Sequence, residues 1–430
     1  MAKHHAEQEE EKHLHEQTVL LTLTNQLLTH STLEDVMSYL VEQVVRLLDV
    51  DACALLLPEE ESGYLVFRAS AGWLSNPVVE RRRVLNGKHS SAGQVMNSKT
   101  PIFSRDSAHR DELPEFTVDW LEKEAFEGLA ILPLVVEGKS IGAMALTTRK
   151  PLVLDDEEIR FLEILANQAG IAIVNAGLRE EEIRLQRLEE ELSVGRQIQH
   201  SLLPASSPSF PGWQFTDLYR PARQVGGDLY DYFVLSDSGH RLGLVIGDVA
   251  GQGVPAALFM ATSRTLIRSA ALADLTPGST LSEANKLILQ DSPSELFLSA
   301  FYGILDTRTG TLNYANAGHN PPLLYQQTRG DFLELRARGI LLCVRNRISL
   351  EEKSATLDHN DILVLYTDGV TEAMNRQGEE FSVDRLRQGI AAHAEESASQ
   401  ILYGIVEAID SFIGETEQPD DLTLVVAKRL

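Results

Sequence analysis

Cysteine is scarce in this chain of 430 residues, which contains Cys53 and Cys343 alone. Both lie in apolar runs, ACALLL and ILLCV, which predicts small core residues rather than a redox pair. No run approaches the roughly 20 apolar residues of a membrane span, and the N-terminus lacks the apolar core of a signal peptide. These absences exclude a disulfide scaffold and lead us to expect a soluble, cytoplasmic protein without a membrane segment.

Basic residues are also in deficit, because 38 Lys and Arg stand against 63 Asp and Glu for a formal net charge of −25. Such a charge argues against binding to nucleic acid or to an anionic membrane surface. A phosphate-bearing substrate stays compatible with it, since bound metal ions can supply positive charge. The length predicts about two to four globular domains.

The first 16 residues form a polar segment in which four histidines alternate with glutamates. Imidazole binds zinc and nickel, so a metal site is conceivable there. A solvated helix that frays is the simpler interpretation of so polar a stretch. The histidines concerned are His4, His5, His13 and His15.

Residues 17–177 read as a domain of helices around a mainly antiparallel sheet. Leucines at helical spacing begin after Thr18, and a second helix is predicted after Ser31, which forms a capping-box pattern with Glu34. Four strand-like runs follow, at 52–58, 63–70, 128–138 and 140–149, with a hairpin turn at 136–140. A long helix is expected to begin after Asp155 and Asp156 and to run toward Gly177.

This pattern resembles a GAF domain, a small-molecule sensor module, over about residues 15–178. The resemblance implies a domain that takes an unidentified small ligand. Cys53 falls in a predicted strand, so we interpret it as a core residue rather than a chromophore thiol. The motifs that carry the resemblance are Ser91-Ala92-Gly93-Gln94-Val95, Pro101-Ile102-Phe103, Leu132-Pro133-Leu134, Ile141-Gly142 and Ala166-Asn167-Gln168-Ala169.

A connector is predicted over residues 178–204. Apolar side chains recur at alternating heptad positions from Ile171 to Leu192, broken at Glu181 and again at Gly195. The charged surroundings favour a two-stranded coiled coil and hence a homodimer, with a single helix packed on its own domain as the alternative. The helix should stop by Leu203 because Pro204 follows.

Four aspartates stand out in residues 205–430, because each flanks an apolar strand beside a glycine or a turn. They are Asp228 in VGGDLYD, Asp248 in VIGDVAGQG, Asp368 in VLYTDGVTE and Asp420 in QPDDLTLVV. Carboxylates held rigidly at strand ends suit hard cations such as Mg²⁺ or Mn²⁺. Several converging carboxylates would repel one another unless cations neutralised them, and two ions could activate water for in-line attack on phosphorus.

Together these motifs resemble the metal-dependent serine/threonine phosphatases related to protein phosphatase 2C, the PPM family, in the bacterial branch typified by SpoIIE and RsbU. The likeness runs from about residue 197 to 430. It implies that Asp248 bridges two Mn²⁺ or Mg²⁺ ions, helped by the Val249 carbonyl, and that Asp228 binds one ion. Asp368 and Asp420 would bind the other, while metal-activated water attacks a phosphoserine or phosphothreonine.

Other acids and a histidine receive supporting roles from the same resemblance. Asp231, Glu372 and Asp421 would support the ligands or serve structure, with Asp421 equally interpretable as a loop carboxylate. His319, beside Pro-Pro, could touch substrate but is more simply structural. Many eukaryotic relatives place a histidine, a candidate general acid, where this chain has Ala250. Where the family carries Leu-Gly before the third motif, this chain has Leu342-Cys343.

The fold expected is therefore α+β, with a GAF domain, a connector helix and a C-terminal α/β/β/α sandwich. The leading hypothesis is a phosphatase that dephosphorylates a regulatory protein such as an anti-sigma-factor antagonist, gated by a signal that the connector passes to residues 196–204. A pseudophosphatase scaffold without turnover is the non-enzymatic alternative. A diguanylate cyclase is disfavoured, because Gly226-Gly227-Asp228 is followed by Leu229-Tyr230 rather than Glu-Phe.

Overall fold

The computed structural model describes residues 32–60, 62–106, 113, 121–235, 239–273, 275–291, 296–416 and 418–430. Its contacts divide the chain after Arg187 into two compact units, which we call the N-terminal unit and the C-terminal unit. The histidine-bearing segment 1–16, the helix predicted after Thr18 and Ser31 lie outside the described residues.

The N-terminal unit opens with helix α1 (Leu33–Leu47). Its cap is Thr32, whose hydroxyl accepts a hydrogen bond from the Asp35 N–H at 3.1 Å. The prediction that Ser31 caps this helix is therefore wrong by one residue, because two adjacent hydroxyl residues offer the same capping chemistry. Val36, Leu40 and Val44 are buried on one side of the helix.

A six-stranded sheet with antiparallel pairing forms the centre of this unit, in the order β3-β2-β1-β6-β5-β4. The predicted hairpin at 136–140 is confirmed, because Glu137 and Gly138 both adopt positive φ between the two longest strands. The strands are β1 (Ala52–Pro58), β2 (Tyr64–Ala71), β3 (Arg83–Leu85), β4 (Ile102–Ser104), β5 (Gly128–Val136) and β6 (Lys139–Thr148).

Apolar side chains cover both faces of the sheet. One face packs against α1 and the start of a long helix α3 (Asp156–Leu202), and the other packs near α2 (Ser91–Ser98). Cys53 is fully buried between them, which confirms its interpretation as a core residue, and burial raises the pKa of its thiol. Helices flanking an antiparallel sheet match the predicted architecture.

Helix α3 runs unbroken for 47 residues and ends at Leu202, so the predicted stop by Leu203 is confirmed. An 18-residue window in it has a mean hydropathy of 1.4, which makes it the one described helix that could cross a membrane by length and composition. About a third of that window is buried, at 33%. Residues such as Leu165 and Ala169 pack in the core of the sheet, and this packing accounts for their apolar character.

The C-terminal unit contains two antiparallel five-stranded sheets, ordered β14-β11-β10-β9-β8 and β13-β12-β15-β16-β7. The strands are β7 (Trp213–Arg220), β8 (Leu229–Val234), β9 (Arg241–Val249), β10 (Leu298–Asp306), β11 (Thr311–Ala317), β12 (Leu323–Gln326), β13 (Asp331–Glu334), β14 (Glu352–Thr356), β15 (Ile362–Tyr366) and β16 (Leu422–Arg429).

The two sheets pack face to face over a shared core that includes Trp213, Ile246, Phe301 and Leu365. Helices α4 (Val254–Ala271) and α5 (Pro277–Asp291) cover the outer face of the first sheet. The outer face of the second sheet is covered by α7 (Ser382–Ala392) and α8 (Ala398–Ile413), after a short helix α6 (Asp368–Thr371). This is the α/β/β/α sandwich that the sequence predicts.

Candidate active site

The four predicted aspartates lie at one end of the sandwich and come from both sheets. Asp228 immediately precedes β8, and Asp248 lies at the end of β9. Asp368 begins α6 directly after β15, and Asp420 stands two residues before β16. Because neighbouring strands of each sheet are antiparallel, the end of one strand and the start of the next meet at the same edge.

Asp228 is the most deeply buried of the four and is tied to the opposite sheet. Its Oδ2 accepts hydrogen bonds from the Thr367 hydroxyl at 2.7 Å and the Thr423 hydroxyl at 2.5 Å. Burial raises the pKa of its carboxyl well above the ordinary value, helped by the negative charges of Asp248 and Asp421 and opposed by the two threonines. The threonine bonds fix one carboxylate oxygen and leave the other to face the neighbouring acids.

The remaining acids act on one another through their charges. Burial, followed by the charges of Asp368 and Asp420, raises the pKa of Asp248 to about 8. Burial likewise raises the pKa of Asp368 and of Asp420, and the charge of Asp368 adds to the effect at Asp420. A group of carboxylates that raise one another's pKa in this way favours the binding of cations.

The donor set fits hard cations in chemistry, since it consists of carboxylate oxygens together with strand-end carbonyls such as that of Val249. In the part of the chain that the structure describes, no three His, Cys, Asp or Glu side chains are already gathered around one point as metal ligands.

Asp421 binds the loop before β8, and its negative charge also raises the pKa of each of the four aspartates. Its Oδ1 accepts a hydrogen bond from the Ala222 N–H at 2.8 Å, and its Oδ2 accepts one from the Gly227 N–H at 2.6 Å. The Asp228 N–H also points to Oδ2, at 3.3 Å. The carboxylate thus orients the backbone that carries Asp228. This arrangement fits the supporting role that was one of the two interpretations of Asp421 from the sequence.

Asp231 and Glu372 make contacts of their own beside the four aspartates. Asp231 is 1% exposed and forms ion pairs with Arg264 at 2.9 Å and Arg268 at 3.2 Å, which join β8 to α4. Glu372 caps the end of α6, and burial followed by the charge of Asp368 raises its pKa.

Close packing around Asp421 explains two glycines of the aspartate motifs. A Cβ at Gly226 would lie 2.1 Å from Asp421 Oδ2 and 2.5 Å from the Tyr219 hydroxyl. A Cβ at Gly369 would lie 2.0 Å from the Asp421 carbonyl oxygen. Gly226 and Gly369 are therefore required where the backbone passes close to Asp421.

The turn at Leu342-Cys343 keeps a glycine-like backbone despite its cysteine. Cys343 has a φ of 70°, in the left-handed region, and its N–H donates to Asn285 Oδ1 at 2.7 Å. The adjacent Leu342 exchanges backbone hydrogen bonds with Leu298 at the start of β10. The departure from Leu-Gly therefore leaves the aspartates in place.

Sequence reasoning did not find Thr367, Thr423 or Ser299, which also surround the acids. Ser299 stands directly opposite Asp248 in the ladder between β9 and β10. Thr367 precedes Asp368, and Thr423 lies three residues after Asp420. Their closeness in sequence to these aspartates is a signal from which a role at the site could have been predicted. Threonine is common in strands for packing reasons, and that signal is therefore weak.

Comparison with known proteins agrees with this architecture. Residues 30–174 match the model of the GAF domain family, and residues 238–430 match that of stage II sporulation protein E (SpoIIE). The second match includes Asp248, Asp368 and Asp420, while Asp228 precedes it. The two matches correspond to the two folds described above.

Two curated relatives are similar to the chain over more than half of its length. Protein IcfG of Synechocystis sp. is 31% identical over 266 residues, which span 56% of this chain and 41% of IcfG. Phosphoserine phosphatase RsbU of Bacillus subtilis is 28% identical over 244 residues, which span 57% of this chain and 71% of RsbU. The chain thus covers less than half of IcfG.

Among solved structures, the SiaA-PP2C domain of Pseudomonas aeruginosa superposes with a TM-score of 0.51 at 22% identity. The superposition covers 57% of this chain and 98% of that domain. At this identity the likeness concerns the fold, and it supports a PP2C-like sandwich. The chain therefore combines an N-terminal domain that matches the GAF family with a C-terminal domain that matches the SpoIIE family and has a PP2C-like fold.

Proposed function

We propose that the chain is a metal-dependent protein serine/threonine phosphatase. The observation that carries the proposal is the meeting of Asp228, Asp248, Asp368 and Asp420 from two sheets at one end of a PP2C-like sandwich. The similarity to RsbU, named a phosphoserine phosphatase, supports the same activity. The substrate would carry phosphoserine or phosphothreonine.

The four aspartates and the Val249 carbonyl would hold two Mn²⁺ or Mg²⁺ ions. When bound, such ions activate water and neutralise the phosphoryl oxygens. Asp421 orients the loop that carries Asp228, and Thr367 and Thr423 fix the carboxylate of Asp228. The protein would thus contribute a preset arrangement of charge. Ala250 offers no proton at the position beyond Val249, and the leaving alkoxide would take its proton from solvent.

The regulatory arrangement is also a proposal. Large apolar side chains at heptad positions of α3 are exposed, among them Leu178, Leu185 and Leu188. Exposed leucines at this spacing support a homodimer through a coiled coil, because pairing would bury them. We expect the GAF domain to take an unidentified small ligand and the catalytic domain to act in the cytoplasm on a phosphorylated regulatory protein, such as an anti-sigma-factor antagonist.

Hydrolysis of a phosphoserine peptide by the full chain tests the activity, with Mn²⁺, with Mg²⁺ and with EDTA. Asp248→Asn should abolish turnover while thermal unfolding shows an intact fold. Asp384→Asn, at a residue on α7 that is 83% exposed, is the matched control and should keep full turnover. Metal-independent turnover, or full activity of Asp248→Asn, would contradict the proposal, and Mn²⁺ binding without turnover would favour the scaffold alternative.

A further inference from the structure

The last turns of α3 present one face to the rest of the C-terminal unit. Gly195 and Gln199 are four residues apart, which places them on the same side of the helix, and Leu203 directly follows the last helical residue, Leu202. A Cβ at Gly195 would lie 3.9 Å from Val225 Cγ1, and Leu203 is buried in the core between the two sheets. The heptad pattern breaks at Gly195 because the helix there packs on the domain.

Gln199 is the polar member of this face, and its side chain is nearly enclosed, with 5% exposure. Its Nε2 donates to the Gly226 carbonyl oxygen at 2.6 Å, and its Oε1 accepts from the Gly226 N–H at 3.1 Å. Because the backbone N–H must donate and the carbonyl must accept, these two bonds define the orientation of the amide. The side chain thereby holds both polar groups of one glycine.

Gly226 lies two residues before Asp228 in a loop that is held from two directions. Asp421 binds the N–H groups of Gly227 and Asp228 from the start of β16. Gln199 binds Gly226 from the end of α3. The backbone that positions Asp228 therefore depends on one contact inside the sandwich and on one contact with the helix that enters it.

We infer that Gln199 is a positioning residue that sets the affinity of the site for its metal ions through Gly226. The inference rests on the proposed function and names the contact through which α3 acts on the site. A shift of the last turn of α3 would break two buried hydrogen bonds at Gly226 and release the loop of Asp228. Partners that orient metal ligands typically change metal affinity by about 10- to 100-fold when they are removed.

The test compares Gln199→Leu with Gln197→Leu in the full chain. Gln197 is an exposed glutamine two residues earlier on the same helix, so its substitution controls for the loss of an amide and the gain of a leucine. Isothermal calorimetry measures the Kd for Mn²⁺. Hydrogen–deuterium exchange with mass spectrometry, in EDTA, measures amide protection over residues 222–229. Gln199→Glu, which keeps an acceptor for the Gly226 N–H and loses the donor, is the conservative variant.

We expect Gln199→Leu to weaken Mn²⁺ binding by about tenfold or more. The variant should also lose amide protection over residues 222–229, and its turnover should recover at saturating Mn²⁺. Gln199→Glu should retain more of the protection, and Gln197→Leu should match the unsubstituted chain. Equal Mn²⁺ affinity in the two leucine variants would overturn the inference while leaving the proposed function intact. Failure of the unsubstituted chain to bind Mn²⁺ would instead remove the proposed function and the inference with it.

Discussion

His319 Nδ1 lies 2.7 Å from Ser299 Oγ, and Ser299 stands directly opposite Asp248 across the ladder of β9 and β10. Asn316 fixes the histidine backbone, because its Oδ1 accepts from the His319 N–H at 2.7 Å and its Nδ2 donates to the His319 carbonyl at 2.9 Å. The imidazole is buried, with 6% exposure. These contacts support a structural role for His319 under the acidic cluster.

The burial of His319 predicts a pH-dependent contribution to stability. Burial lowers the pKa of His319 to about 4, against the opposing effect of a backbone hydrogen bond with Tyr366. An unfolded histidine has a pKa of about 6.5, so between these values the unfolded chain binds a proton that the folded chain does not. The contribution of the neutral, buried His319 to the free energy of unfolding is fully present above about pH 6.5. It is lost as the pH falls toward 4, and the loss is roughly 3 kcal/mol at most.

Urea unfolding of the chain and of His319→Gln at pH 7 and at about pH 4.5, in EDTA, measures this contribution. We expect the unsubstituted chain to lose more free energy of unfolding between the two pH values than the variant does. The aspartates titrate in both proteins, so their effect cancels in the difference. The same loss in both proteins would mean that His319 is protonated in the folded chain.

Gly226→Ala should disturb the site more than the fold. Its Cβ would meet Asp421 Oδ2 and the Tyr219 hydroxyl at 2.1 and 2.5 Å, so the loop before Asp228 must shift. We expect a stability loss of about 1–3 kcal/mol and at least a tenfold weaker Mn²⁺ affinity, about the effect of a lost supporting contact. Thermal unfolding and calorimetry measure the two quantities.

Gly389→Ala provides the control for that experiment. Gly389 lies within α7, and a Cβ there would make ordinary contact with Ile405 Cγ1 at 3.5 Å. The control should gain up to about 1 kcal/mol, because alanine is the better helix former. Unchanged Mn²⁺ affinity in Gly226→Ala would show that the loop accommodates the methyl group without moving Asp228.

The sequence predicted the aspartates better than the groups that hold them. Asp228 directly precedes an apolar strand and Asp248 lies at the end of one, each beside glycine, which is a local pattern that can be recognised without coordinates. The bonds from Thr367 and Thr423 to Asp228 join residues 139 and 195 positions apart, and Gln199 reaches Gly226 across 27 positions. Such pairings depend on how the sheets and α3 pack, which local patterns do not specify.

Cys343 should carry backbone strain that glycine would relieve. Its φ of 70° lies in the left-handed region, which costs a non-glycine residue about 1–2 kcal/mol. Glycine would remove this cost, but part of the gain is lost because glycine makes the unfolded chain more flexible. We expect Cys343→Gly to raise the free energy of unfolding by about 0.5–1 kcal/mol. Cys343→Ala keeps the Cβ and should give no gain. Equal stability of the two variants in urea unfolding would contradict this account.

The exposed leucines of α3 predict a dimer that charge can separate. Leu185 and Leu188 occupy alternating heptad positions and are each 47% exposed in one chain. Glutamates at both positions would place four like charges in the seam of a two-stranded coiled coil and remove its apolar contacts. We therefore expect light scattering after size exclusion to report a dimer for the unsubstituted chain and a monomer for Leu185→Glu/Leu188→Glu.

Arg187→Glu controls for added negative charge on the same helix, because Arg187 falls outside the seam positions, and it should remain dimeric. A dimer that survives the double substitution would place the interface elsewhere. A monomeric unsubstituted chain would mean that the leucines lie open or pack on another protein. Each outcome identifies a different surface against which the leucines of α3 pack. The measurement therefore decides between a paired coiled coil and a single helix.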